Sequence, residues 1–161
     1  MVNVQYTVKG GGGHSSSPTA SGPLARLSKA CLNVEKASFN YIVSKPTAEM
    51  FNIVGRHSTF LYRMLFANLW CFAPVLNLIA KASGGEMNAL VRTTVAFTQM
   101  EGSSARNVIP PEAKMVANMR LNPADSVNSA LEYLKKTVKD PDVEITVLES
   151  FEPSPVSETN C

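Results

Sequence analysis

The chain opens on strict alternation: Val2, Val4, Tyr6 and Val8 interleave with Asn3, Gln5, Thr7 and Lys9. That is the period of a strand with one buried face. The glycines at 10–13 break it. From Pro23 to about Lys36 the period changes, and Leu24, Leu27, Cys31 and Val34 recur at the spacing of an amphipathic helix. Residues 90–99 are rich in β-branched side chains and predict a second strand. Alternation returns over 112–121. Ala113, Met115, Ala117, Met119 and Leu121 point one way; Glu112, Lys114, Val116, Asn118 and Arg120 point the other. Asn122-Pro123 ends that strand. Asp125 or Ser126 then offers an N-cap for a helix with Val127, Leu131, Leu134 and Val138 on one face. Asp140-Pro141 is a turn, and Val143, Ile145 and Val147 open a last strand.

The order is β-α-β-β-α-β, which predicts an α+β, ferredoxin-like sandwich: a four-stranded antiparallel sheet with two helices on one face. The other face is free to be polar and should carry Arg120. Residues 38–88 have no place in this pattern and form a largely apolar, helical insertion. Its longest uncharged stretch lies between Arg63 and Lys81 and holds Asn68, Pro74 and Asn77. A spanning helix needs about 20 apolar residues, so no membrane span is expected, and a helix pair broken at Pro74 is. Trp70, Phe72, Leu76 and Ile79 are an apolar set that either packs on the core or walls a groove for an acyl chain. The domain is expected over 1–150, with the Pro/Ser-rich 151–161 a linker or the start of a return to another domain.

Composition removes several function classes. The chain has 161 residues, is 45% hydrophobic and 17% charged, and carries a net charge of +2. That charge, without a Lys/Arg run or an RNA-binding aromatic signature, gives no reason to expect a nucleic-acid partner. Cys31, Cys71 and Cys161 are odd in number and widely spaced, which favours free thiols over a disulfide framework or a structural zinc site. They are compatible with a reducing compartment, the cytoplasm being slightly favoured. Residues 1–9 lack the continuous apolar run of a signal peptide.

Three polar residues stand out. His14 follows the glycine run and precedes Ser15, Ser16 and Ser17; glycines let the backbone hold an imidazole at a loop tip, where a neutral His can donate to a developing oxyanion. The same residue reads equally as a surface His in a flexible loop. Asn107, before Val108-Ile109-Pro110-Pro111, is an amide able to bind a carboxylate or carbonyl, or a turn residue. Arg120 has the fork for a carboxylate, or is a surface Arg paired with Glu112. His57 has no second ligand at useful spacing and reads as a solvated helix-end residue. No nucleophile elbow, P-loop or dinucleotide fingerprint is present.

Together, the segments Gly12-Gly13-His14-Ser15-Ser16-Ser17-Pro18, Thr93-Thr94, Asn107 to Pro110 and Arg120 resemble the dimerisation, or lid, domain of the di-zinc exopeptidases, the family of aminoacylase, glutamate carboxypeptidase and carboxypeptidase S. Asn68 to Phe72, Arg92-Thr93-Thr94 and Phe151 to Ser157 most resemble the carboxypeptidase S and N-fatty-acyl-amino acid synthase/hydrolase branch. The resemblance implies a homodimer in which His14 reaches into the partner's active site as an oxyanion donor. It also implies that Asn107 and Arg120 hold the substrate carboxylate in their own subunit's site. Zinc and its ligands would lie on a separate catalytic domain, the substrate would be a peptide or N-acyl amino acid, and this chain would hold no metal and be inactive alone. The alternative is a stand-alone ferredoxin-like module for a small carboxylate ligand.

Overall fold

Alternation in the first strand is realised up to Thr7, which is also buried. β1 (Val2–Lys9) buries Val2, Val4, Tyr6 and Val8 completely. The remaining elements of this computed structural model, which describes residues 1–157, follow as β2 (Gly13–His14), α1 (Pro23–Lys36), α2 (Lys45–Arg56), α3 (Phe60–Ala67), α4 (Leu69–Ser83), α5 (Gly85–Val91), β3 (Thr94–Glu101), β4 (Val108–Ile109), β5 (Glu112–Arg120), α6 (Val127–Val138) and β6 (Glu144–Ser150). Cys161 and the last residues of the expected linker lie outside the described residues.

The main sheet has the order β3-β5-β1-β6, and every neighbouring pair is antiparallel. This is the ferredoxin-like arrangement expected from the β-α-β-β-α-β order. The core lies between the sheet and the α1/α6 layer, where Leu27, Ala30, Leu134, Met115 and Met119 are buried. Each large side chain there contributes roughly 1.5–3 kcal/mol by leaving water. The opposite face carries Asn3, Gln5 and Thr7 against Asn118, Val116 and Lys114. Asn118 donates to Asn3 across it at 2.6 Å.

Both core helices turn slightly from the expected faces. Pro23 sits in the first turn of α1, where its missing N–H costs nothing, and the buried stripe is Pro23, Leu27, Ala30 and Val34. Leu24 falls outside it and stays 40% exposed, lying over Gly102, where an added Cβ would come within 2.8 Å of its Cδ2. In α6, Ala130 takes the central buried place and Leu131 is half-buried. Ser126, not Asp125, is the N-cap: it accepts from Ser129 N–H at 3.1 Å, and Ser129 Oγ accepts from Ser126 N–H at 3.0 Å. Asp125 instead accepts from the Thr93 hydroxyl. Glu152 adds its carboxylate to the positive end of α6, accepting from Val127 N–H at 3.1 Å.

The insertion differs from expectation in two places. The strand predicted over 90–99 begins only at Thr94, because Leu90 and Val91 complete α5 and Val91 enters a satellite cluster with Phe51 and Ala80. The helix break lies at Asn68, not Pro74. Asn68 has non-helical φ/ψ (−124°, 46°), donates its side chain to Met64 O at 2.9 Å, and accepts from Cys71 N–H and Phe72 N–H, each at 3.0 Å. It ends one helix and starts the next. Pro74 falls inside α4, where the surrounding helix absorbs its missing donor. Among the described residues no single helix is long and apolar enough to cross a membrane; α3 and α4 pass such a test only as a pair bent by 111°. The apolar set in α4 is split, with Leu76 4% and Trp70 83% exposed, so the four residues do not form one wall.

Tyr6 is fully buried with its hydroxyl unpartnered among the described residues, and burial raises its pKa. Tyr6→Phe removes an unsatisfied polar group while keeping the ring's tilted contact with Phe97. It should leave urea stability unchanged or raise it by about 1 kcal/mol, whereas Leu27→Ala should cost about 2–5 kcal/mol.

Candidate functional site

The site is built by the way β1 ends. After Lys9 the chain must turn without leaving the neighbouring strand, and Gly10 N–H donates to Pro111 O at 2.7 Å to hold it there. Gly10 lies against Pro23, whose Cγ would be 2.7 Å from an added Cβ. Gly12 takes φ +61°, a region glycine enters without strain. From this turn Gly13 and His14 pair with Ile109 and Val108 as the two-stranded ladder β2–β4. Ser15 N–H donates to Asn107 O at 3.0 Å and extends it by one bond. The His14 loop and Asn107, which lies 93 positions after His14 in the sequence, are therefore joined backbone to backbone.

The loop also sets the imidazole's proton. Ser16 N–H donates to His14 Nδ1 at 3.2 Å, and Ser16 Oγ lies 2.9 Å from the same nitrogen. A backbone N–H can only donate, so Nδ1 is the acceptor and the neutral ring carries its proton on Nε2. Ser17 N–H closes the turn on His14 O at 3.1 Å. The ring is exposed, and its Nε2–H is a donor directed by the loop and not consumed by it. The Asn107 side chain is likewise exposed and makes no hydrogen bond among the described residues. Two donors thus share one end of the sheet.

Arg120 is elsewhere. It is the last residue of the nine-residue β5 and pairs with Thr94. Glu112, at the start of β5, is next to the His14 loop. At 3.3 Å per residue the strand separates the two ends by roughly 26 Å. Arg120 is exposed on the polar face, as expected. It forms no ion pair with Glu112, which is bound to Lys114 at 2.7 Å; that pairing holds the Glu112 carboxyl below its usual pKa. The chain's first and last strands meet at the Arg120 end, where Met1 and Phe151 exchange backbone hydrogen bonds. Within one chain, then, Asn107 joins His14 and not Arg120. His57 is an exposed C-cap of α2, as read from the sequence.

Among the described residues no group of three or more His, Cys, Asp or Glu side chains gathers as a metal site. His14 and His57 lie in separate elements, so the donor set here does not fit a zinc centre. Sequence reasoning missed the role of Ser16, since a run of serines after glycine signals only a polar loop. It also missed the β2–β4 ladder, because two-residue strands carry no periodicity.

Comparisons with known proteins identify a family and a fold. The family model of the peptidase dimerisation domain matches residues 1–146. The chain is 38% identical over 157 residues to the N-fatty-acyl-amino acid synthase/hydrolase of Xenopus tropicalis, covering 97% of this chain and 30% of that protein. It is 33% identical over 159 residues to the probable carboxypeptidase S-like 2 of Dictyostelium discoideum, covering 98% and 30%. Among solved structures, human carnosine dipeptidase 1 shares the fold, with a TM-score of 0.53 at 11% identity over 94% of this chain and 36% of that one. The chain spans about three tenths of the length of the curated relatives it matches.

Because the Ser15–Asn107 bond rests on the turn at Gly12, Gly12→Ala should cost about 1 kcal/mol in backbone strain. It should also reduce hydrogen-exchange protection of the Ser15 amide, leaving amides of β1 unchanged. Equal protection of Ser15 in both proteins would show that the ladder does not depend on that turn.

Proposed function

The chain belongs to the M20 peptidase dimerisation-domain family, and from that premise we propose that it is the dimerising lid of a metal-dependent hydrolase acting on peptides or N-acyl amino acids. The observation that carries the reading is the His14 loop, which leaves an Nε2–H donor facing solvent and is held by its backbone against that of Asn107. Donors fixed before reaction and aimed at a carbonyl oxygen stabilise the charge that develops there. Arg120 is suited to the substrate's free carboxylate, by a two-pronged contact that a lysine does not reproduce. The names of the relatives, a fatty-acyl-amino acid synthase/hydrolase and a probable carboxypeptidase, support a substrate with both an amide and a terminal carboxylate.

A homodimer supplies what one chain lacks. The sheet edges are β3 and β6. β6 carries Glu144 and Glu149, whereas β3 carries only Glu101, includes the exposed Met100 and lies near Leu24 of α1. An open edge of low charge beside an apolar helix face is a template for pairing with a second copy. Antiparallel pairing of β3 with its symmetry mate would bring the Glu101 end of one chain beside the Thr94 end of the other. Since Glu101 lies at the His14 end and Thr94 pairs with Arg120, His14 and Asn107 of one chain would approach Arg120 of its partner. We therefore assign Asn107, with His14, to the partner's site and leave Arg120 to its own. The metal, zinc by the family resemblance, would be held by residues of a catalytic domain outside this chain. No observation favours the stand-alone carboxylate-binding module.

In the full-length enzyme, His14→Ala should lower kcat by about 10²–10³-fold with metal content and dimer mass unchanged. Activity on dipeptides and N-acyl amino acids that survives the substitution intact would end the catalytic reading of the loop.

A further inference from the structure

The insertion presents an apolar surface that the lid geometry does not use. Its helices are anchored inward: Phe66 of α3 stacks on Phe51 at 5.0 Å, and Leu76 and Ala80 of α4 are buried. Asn77 is turned the same way and accepts from Arg92 Nη2. At about 100° per residue these positions fill one half of α4. The other half carries Trp70, Pro74, Val75, Leu78 and Ile79, all exposed, and ends at the exposed Lys81. Its only polar side-chain hydrogens before Lys81 are those of the Trp70 indole and the Cys71 thiol. A helix that is apolar all round has apolar surroundings on both sides, and α4 has them on one. α3 adds Phe60, which is 81% exposed, with Leu61 and Tyr62. Exposed apolar surface of this kind marks an interaction site.

Charge and polarity choose the occupant. Residues 50–85 contain no Asp or Glu, whereas Arg56, Arg63 and Lys81 are all exposed. Arg63 lies three residues after Phe60 and Lys81 three after Leu78, so each cation shares a helix face with an exposed apolar side chain. A protein partner asks for about one hydrogen bond per 100–200 Å², and the outer half of α4 has almost none to give. A lipid surface asks for none. It takes aliphatic side chains at the acyl boundary, indole and phenol rings at headgroup level, and cations against phosphate. Length decides the orientation. The 15 residues of α4 rise about 22 Å, short of the ~30 Å hydrocarbon core, and the 111° bend turns α3 out of line with it. We propose that α3 and α4 lie in the plane of an anionic membrane surface, with the outer half of α4 at the acyl boundary and Arg63 and Lys81 on the headgroup phosphates. This holds whether or not His14 serves catalysis.

The test is vesicle sedimentation with tryptophan fluorescence. Trp70 is the only tryptophan of the chain, so its emission reports this face alone. With vesicles of phosphatidylcholine containing about 30% phosphatidylserine, the chain should co-sediment, its emission should shift to the blue, and brominated acyl chains should quench it. Leu78 is exposed, so Leu78→Glu leaves the fold intact and should weaken binding by about tenfold or more. Arg63→Gln and Lys81→Gln should each weaken it about fivefold. The full-length enzyme should float with the same vesicles. Several results would overturn the proposal: no shift with vesicles, equal binding to phosphatidylcholine alone, or binding indifferent to Leu78→Glu. A blue shift that grows with protein concentration without lipid would give the face to a second copy. Vesicle binding by this chain but not by the full-length enzyme would give it to the catalytic domain.

Discussion

The register of β1 governs the molecule. This strand is paired on both edges, with β5 and β6, and its alternate side chains are all buried on one face. A slip of one residue would turn Val2, Val4, Tyr6 and Val8 to solvent and bring Asn3, Gln5 and Thr7 into the core. The register therefore has one acceptable value, and it fixes where the strand stops. Lys9 pairs with Glu112, so the glycine turn begins opposite Pro111 and its loop meets Asn107. The same register leaves Arg120 at the far end of β5, beside Val2 and the last strand. The separation of His14 from Arg120 is thus a consequence of core packing.

That core was legible because burial on one face writes a period into the sequence. The alternation of β1 and β5, the helical spacing in α1 and α6 and the turn at Asp140-Pro141 all correspond to observed elements. Where the reading failed, tertiary packing decided. Leu90 and Val91 have strand propensity, yet Val91 is spent in the insertion's satellite cluster with Phe51. Pro74 is the stronger breaker on intrinsic preference, yet Asn68 breaks the chain because its side chain and carbonyl satisfy both helix ends locally. Of the site, the three residues were identifiable as a set only through a family resemblance. The grouping of His14 with Asn107 required the two-residue ladder, and Ser16 required the loop's geometry.

The distribution of functional groups has a simple reading. One chain offers neutral donors at one end of a sheet and a guanidinium at the other, roughly 26 Å apart along β5. No small substrate bridges that span. The proposed two-fold pairing through β3 would do so, by bringing opposite ends of two chains together, and would make one domain serve as both lid and dimerisation surface. The apolar surface of the insertion, with Phe60 and Trp70 exposed, is outside this geometry.

The most direct measurement is subunit complementation in the full-length enzyme. Co-expressed, separately tagged chains carrying His14→Ala and Arg120→Ala should form mixed dimers with activity well above either parent variant, because one of the two sites then holds His14, Asn107 and Arg120 intact. Asn107→Ala with Arg120→Ala should recover likewise, and His14→Ala with Asn107→Ala should not. Recovery in the His14/Asn107 pair with none in the Asn107/Arg120 pair would return Asn107 to Arg120's own site, and no recovery in any pair would contradict a shared site altogether.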